Sequence, residues 1–379
     1  MTAFPRSIGM LMLAWMLLAF LGMSSQQVYA DNSNLNKEID ELAKQVVKFL
    51  EDKGENQVAI GEWTGPASPP SSSGPAIKKA LIDALEHQTL TIAPKGKFTI
   101  KGDYGATTDK ESGMLVVRLN ARMLDSQSQD EVFKFSPRGV NGEKELAKAF
   151  GLTASLSPND DKQERNDKLK NSLNDPSVHI EGLQVMSAPN SPYRVEVLTK
   201  SSPSEAGEAR QPKELDGLAF VDIKRNEFYE ARLINDSEHD AAVTLSIDGI
   251  DVFEFSNLRD AASNKPRYTC WVIPKKSSYS IKGWHRTNKQ VDSFVVMEFA
   301  KSEAAKRLGS SGSSEIGTIT MTFAAAWDSE MNRPKDEGDA KDGGDATGRG
   351  PSIEIDTKEV QRTFGKIRSC ISIRYTKPE

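Results

Sequence analysis

The sequence predicts a two-domain α+β protein, a small α/β domain followed by an antiparallel β-sandwich. Three observations predict it. Apolar residues within 31–153 recur first at helical spacing and then in alternation. The stretch 154–177 has no aromatic residue and is dense in Asp, Lys, Asn and Ser. Beyond it, short runs of period-two alternation continue through 178–379, the pattern of strands with one buried face. With 379 residues, 37% of them apolar and 27% charged, the chain can fill two cores.

At the N-terminus, Arg6 precedes an apolar run from Ile8 to Met23, and a polar stretch ends in Val28-Tyr29-Ala30. A charged start, a short apolar core and a small residue at the end describe a signal peptide over 1–30. Cleavage is predicted between Ala30 and Asp31. The bland alternative is an uncleaved anchor, for which the apolar run is short. No cysteine follows the cleavage point to carry a lipid, and no paired arginines precede the run. The expectation is an exported protein, periplasmic or secreted, with no integral membrane span after cleavage.

In the α/β domain, Leu35, Ile39, Leu42, Val46, Phe49 and Leu50 mark an amphipathic helix, with Gly54 just past its end. A strand at Val58–Trp63 follows. The Pro/Ser-rich run Gly65–Pro75 then leads into a helix whose face is Ile77, Leu81, Ile82 and Leu85. Strands are predicted at Phe98–Tyr104 and Met114–Leu124. In the second, Leu115, Val117, Leu119, Ala121 and Met123 alternate with Val116, Arg118, Asn120 and Arg122. A turn at Asp125–Asp130 leads to a strand at Val132–Phe135, and a short helix at Glu143–Phe150 closes the domain.

Residues 154–177 read as a linker, because such a composition buries little. Strands then follow at Tyr193–Leu198, Leu218–Ile223 and Phe228–Ile234, and in the alternation of Val243, Leu245 and Ile247. Asp248-Gly249 supplies a two-residue hairpin turn. Further strands fall at Tyr268–Ile273, Tyr279–Trp284, Phe294–Phe299 and Ile316–Phe323, with a short helix near Glu303–Leu308. The Gly- and Asp-rich stretch 331–351 reads as a disordered insertion. The sequence ends on a strand at Cys370–Tyr375, in which Ile371, Ile373 and Tyr375 alternate with Ser372 and Arg374.

Two stretches resemble known families. Val58–Trp63, the Pro/Ser loop, the Ile77 helix, Ile100-Lys101-Gly102-Asp103-Tyr104 and Val117–Asp125 resemble the N-terminal α/β domain of bacterial envelope accessory proteins. These include the curli-secretion CsgG type, the flagellar FlgO type and the LpoB-type activators of peptidoglycan synthases. Those lipoproteins carry an anchoring cysteine, which this sequence lacks. Tyr229–Asn235, Ser246–Gly249 and Ile371–Tyr375 resemble a functionally unassigned β-sandwich domain of exported bacterial proteins, which implies a fold and no activity.

Charge and chemistry narrow the function classes. The chain holds 54 acidic against 49 basic residues, a net charge of -5, and has no basic block, which argues against nucleic acid as partner. Four histidines and two cysteines leave few metal ligands. His87 and His179 have no partner at a ligand spacing, and His285 at a strand end reads as a structural imidazole. Asp336, Asp339, Asp342 and Asp345 recur among glycines but lack the pattern of a calcium loop. Ser237, His239 and Asp240 carry the letters of a hydrolase triad within one turn, where no base can be set against a nucleophile by tertiary structure. Gly65–Gly74 matches no phosphate-binding motif.

Cys270 and Cys370, in an oxidising compartment, are expected to form a disulfide. The alternative is two buried thiols acting as small apolar side chains. The expected function is therefore a non-catalytic envelope accessory or scaffold protein that binds another envelope protein through its first domain, without cofactor or metal. One alternative is a carbohydrate- or peptidoglycan-binding module using Trp271, Trp284 and Trp327. Another is a hydrolase with a site assembled from scattered carboxylates such as Asp103 and Asp125.

Overall fold

Helical spacing places Leu35, Ile39, Leu42, Val46, Phe49 and Leu50 on the buried face of α1 (Leu35–Asp52). The computed structural model describes residues 35–66, 73–261, 264–297, 317–337, 346–350 and 357–375. The predicted signal peptide with Ala30 and Asp31, and the helix predicted near Glu303–Leu308, lie outside them.

After α1 come β1 (Gln57–Thr64), α2 (Ser73–His87), β2 (Thr91–Ile92), β3 (Phe98–Thr108), β4 (Leu115–Asp125), β5 (Glu131–Lys134), β6 (Arg138–Asn141) and α3 (Glu143–Phe150). The strands form one six-stranded sheet in the order β2-β1-β3-β4-β5, with β6 also beside β4. β1 runs parallel to β2 and β3, while β4 is antiparallel to β3, β5 and β6. Leu115, Val117, Leu119, Ala121 and Met123 of β4 face the same core as α1 and α2. Gly102 has a steric reason: a Cβ there would lie 2.4 Å from the Trp63 ring. Two residues on, Tyr104 stacks on Phe150 at 6.1 Å and carries α3 onto the sheet.

The stretch read as a linker is folded. β7 (Ala154–Ser155) pairs with Cys370 and Ser369, and α4 (Lys162–Asn174) buries Arg165, Asn166, Leu169, Ser172 and Leu173. Asp161 and Glu164 form a reciprocal capping box at the start of α4. Composition missed this because the buried face is narrow and partly polar. Arg165 and Ser172 are satisfied by hydrogen bonds rather than by apolar contact.

The rest of the chain is β. In order come β8 (His179–Glu181), β9 (Gln184–Met186), β10 (Tyr193–Lys200), β11 (Glu208–Ala209), β12 (Lys213–Leu215), β13 (Leu218–Phe220), β14 (Phe228–Asn235), β15 (Asp240–Ile247) and β16 (Ile250–Asp251). They are followed by β17 (Cys270–Ile273), β18 (Ser277–Ile281), β19 (Gly283–Thr287), β20 (Gln290–Val295), β21 (Thr318–Trp327), β22 (Ala346–Gly350) and β23 (Lys358–Arg374). One sheet has the order β19-β20-β14-β10-β9-β8, with β11 beside β10 and β18 beside β14. The other has the order β12-β13-β23-β21-β15-β17-β22, with β16 beside β15 and β7 beside β23. Val195, Val197, Ala231 and Leu233 of the first meet Val243, Leu245, Ile319, Met321, Phe323, Ile371 and Ile373 of the second in a shared core. The protein is thus mostly β-sheet. Asp248 and Gly249, at φ 52° and 75°, make the predicted tight turn between β15 and β16.

From Arg368 onward β23 is buried on both faces. Ile371 and Ile373 enter the sandwich core, whereas Cys370 enters the core under α1. Between them, Ser372 donates from its backbone N–H to Thr153 Oγ1 and from its hydroxyl to Leu152 O. Ser33–Glu379 accordingly forms one compact unit.

Two expectations are corrected. Part of the stretch read as a disordered insertion is ordered. Glu330–Asn332 is a 3-10 turn, Ala346–Gly350 is β22, and Arg368 holds Asp336 through two bonds of 2.8 Å and Glu337 through two of 3.0 and 3.2 Å. The composition of 331–351 hid the fact that Arg368, half a sheet away in sequence, needs those carboxylates. Cys270 and Cys370 are also unbonded, both buried. Val243 pairs with Trp271, Thr244 with Thr322, and Thr322 with Cys370. β15 and β21 therefore stand between the thiols, about 14 Å of sheet at the usual strand spacing. A disulfide needs Cα atoms within about 7 Å.

Candidate functional site

The outer face of the first sheet carries an unusual charge pattern. On β3, Lys101 is directly opposite Arg122 of β4, and Arg122 is directly opposite Lys134 of β5. Arg118, four residues before Arg122, extends the same face. Like charges directly opposite each other destabilise a sheet, by about 0.2–1 kcal/mol per pair. None of these four cations has an ion-pair partner among the described residues; Lys101 has a 3.2 Å bond to Gln129 Oε1. Asp103, on the same face of β3, accepts from Asn120 Nδ2 at 2.7 Å, and Glu131 of β5 lies opposite Leu124. Gly61 leaves room for the stem of Lys101, since a Cβ there would lie 2.5 Å from Lys101 Cγ.

β5 is the edge strand beside this row. Its Val132 and Phe133 are 43% and 44% exposed, two large apolar side chains on one short strand. Phe133 still touches Phe49 and Phe135, at ring distances of 5.1 and 5.0 Å, so it is held in place while exposed. The result is a basic sheet face bordered by an apolar edge on a chain of net charge -5.

A second feature is a cavity of about 230 Å³ beside the Asp248 turn. β14, β19 and β20 deliver aromatic walls, joined by Phe255 and by Tyr375 just past β23. Tyr229 stacks on Phe294 at 5.2 Å, and Trp284 meets Phe255 and Phe294 edge-on at 5.1 and 5.3 Å. Tyr375 lies 6.0 Å from Tyr229 and donates its hydroxyl to Asp248 at 2.5 and 2.6 Å. The Gly317 N–H also donates to Asp248, at 2.7 Å. Burial lifts the Asp248 carboxyl to about 6, against the opposing pull of these donors. Burial likewise holds Tyr229 and Tyr375 well above the usual phenol range, so both are neutral donors. Arg286 sits in the same cavity, 3.4 Å from Asp292 and donating to Phe255 O at 2.9 Å.

The candidates singled out from the sequence separate widely. Ser237 Oγ donates to Asn235 Oδ1 at 2.6 Å and to His239 O at 2.9 Å, so it stabilises its turn and does not face the imidazole. His239 Nε2 lies 3.3 Å from the Tyr193 hydroxyl; burial, then Arg368, lowers its pKa. Asp240 pairs with Arg362 at 3.3 Å. His285 is buried, with Nδ1 3.0 Å from Ser256 Oγ, among the rings of Phe253, Tyr268 and Trp271. His87 ends α2 and His179 opens β8. No group of three or more His, Cys, Asp or Glu that could hold a metal occurs among the described residues.

Asp125 pairs with Phe98, five positions along β3 from Asp103. An odd offset puts the two carboxylates on opposite faces, about 17 Å apart along the strand. That is beyond the ~5–9.5 Å that paired glycosidase carboxylates need. Trp271 and Trp327 are each 2% exposed and serve as core anchors, which leaves Trp284 at the cavity.

The sequence reading passed over the cation row and the Asp248–Tyr375 pair. The signal for the first was visible as Arg118-x-Asn120-x-Arg122 on one strand face. The register that adds Lys101 and Lys134 was not. No helix among the described residues is long and apolar enough to cross a membrane. Compared with known proteins, the chain matches no family model, no curated protein and no solved structure.

Proposed function

We propose that this protein is an exported accessory or scaffold protein, periplasmic or secreted, that acts by binding another protein rather than by catalysis. In this reading the chain has two functional parts. The α/β portion carries the interface, and the sandwich supplies rigidity and spacing. The observation that supports it is the uncompensated row Lys101–Arg122–Lys134 beside the exposed edge of β5. A row of like charges costs stability in the free protein, and an acidic partner surface would remove that cost. The partner is then a protein with an acidic patch and an apolar or extended segment that seats on Val132 and Phe133.

The test is capture from an envelope extract with the full chain and with a variant carrying Lys101→Glu, Arg122→Glu and Lys134→Glu. An acidic protein retained by the parent chain, released by about 0.5 M salt and lost in the folded triple variant supports the reading. Identical capture by both chains refutes the interface, and capture of glycan without protein replaces it with the carbohydrate-binding alternative.

A further inference from the structure

The cavity beside Asp248 is independent of the basic sheet face and has its own chemistry. Its walls are aromatic, and an aromatic ring presents negative potential to whatever stands over its face. Its floor is a carboxylate with no ion-pair partner among the described residues. The other two charges, Arg286 and Asp292, lie 3.4 Å apart and offset each other. The lining therefore carries one net negative charge. Tyr229, 3% exposed, also lines the cavity.

We infer that this cavity binds a small organic ammonium ion, held against the Trp284 ring with its charge toward Asp248. The volume of about 230 Å³ fits a ligand of that size. It equals roughly eight water molecules and is smaller than the pockets that hold drug-sized ligands. A neutral sugar would gain from the aromatic walls but would leave the carboxylate uncompensated. An anion would meet Asp248 directly. The charge balance thus favours a cation, and the walls favour an organic one over a hydrated metal ion.

The test uses calorimetric titration of the full chain with choline, with n-butylammonium and with 3,3-dimethylbutanol, the neutral isostere of choline. At least one of the two cations should bind, about tenfold or more tighter than the neutral alcohol. Asp248→Asn should remove that preference, and Trp284→Leu should weaken cation and alcohol together. Thermal unfolding of each variant checks that it is folded, and Trp284 fluorescence in the unmodified chain provides a second binding signal. Affinity for both cations no greater than that for the alcohol overturns the inference. So does an absence of response to both cations at about 10 mM, or saturable binding of N-acetylglucosamine oligomers that survives Asp248→Asn.

Discussion

Arg165 is the place where a single substitution should reveal how the α/β portion and the sandwich are joined. Its guanidinium makes two bonds of 2.6 Å to Glu143, one of 2.9 Å to Ser157 O and one of 2.7 Å to Ile367 O. The last bond reaches β23, and the others tie α4 to α3 and to the turn before it. The side chain is 7% exposed and Glu143 is 32% exposed. Arg165→Met keeps the stem and removes all four bonds. It leaves the Ile367 and Ser157 carbonyls without this donor and Glu143 without its cation. Breaking a buried pair on one side costs about 3–5 kcal/mol. Because Glu143 can turn partly to water, the lower half of that range is expected, near 3 kcal/mol.

The assay is urea unfolding followed by tryptophan fluorescence, read as a shift in midpoint at constant slope. In variants retaining a single tryptophan, Trp63 reports on the α/β core and Trp271 on the sandwich. A second expectation follows from position: the two signals should cease to coincide as the junction loosens. Glu143→Gln should cost less than Arg165→Met, since it removes charge but no donor. A loss below about 1 kcal/mol with coincident signals would refute the view that α4 is an integral clamp. It would restore the linker reading of 154–177.

Three further predictions follow from buried charge. The Asp248 carboxyl rises from 3.8 in the unfolded chain to about 6 in the fold, so between those values the folded chain binds a proton the unfolded chain has lost. Its contribution to stability is therefore most favourable at low pH and falls as pH rises through about 4 to 6, by at most ~3 kcal/mol. Subtracting the pH–stability profile of Asp248→Asn should isolate that slope, and parallel profiles would refute it. Lys200 and Glu230, 2.5 Å apart and 4% and 7% exposed, form a buried pair. Lys200→Met alone should cost about 3–5 kcal/mol in urea unfolding, and adding Glu230→Leu should recover most of it. Burial pushes the Cys270 thiol up to about 12 and that of Cys370 higher still. Thiol titration should find both unreactive in the folded protein and two equivalents on denaturation. An intact mass two protons light would reverse the finding that they are unbonded.

Much of the architecture was readable because one face of each element is apolar. The spacing of Leu35 to Leu50, the alternation of Leu115 to Met123 and the Asp248-Gly249 turn each state their geometry locally. What was not readable was the polar burial. Ser372 and Arg374, alternating with Ile371 and Ile373, look like a solvent face, yet they are 4% and 8% exposed. Their partners, Leu152 O and Thr153 Oγ1 for Ser372 and Thr318 Oγ1 for Arg374, come from other elements. The same holds for α4. Asp161-x-x-Glu164 is a legible capping box, and Leu169 and Leu173 lie one turn apart, but the rest of its buried face is Arg, Asn and Ser. A hydrophobicity count scores such a helix as solvent-exposed. The candidate site failed to show for a related reason, because Lys101, Arg122 and Lys134 become neighbours only through strand register.

The arrangement of β23 explains why these omissions cluster. A strand covered on one side can be read from its alternation, since one set of residues is apolar and the other wet. β23 instead faces two cores, with Cys370 in one and Ile371 and Ile373 in the other. It pairs with β21, β13, β22 and β7. Ser372 is sealed by Leu152 and Thr153, the Arg368 carbonyl accepts from Leu156 N–H, and the Ile367 carbonyl accepts from Arg165 of α4, so that stretch must be ordered whenever this end of β23 is in place. Ordering it in turn fixes Glu143 through Arg165, and with it the start of α3. Segments that composition assigns to a spacer are thus required by the strand they cover. Contacts spanning more than 200 residues, such as Arg165 to Ile367, then make the fold depend on long-range pairing. Such pairing incurs its loop-closure cost before any contact compensates, which slows folding. The same dependence gives the basic face of the first sheet a rigid mount, because α3, which follows directly on β6, is fixed from the sandwich side.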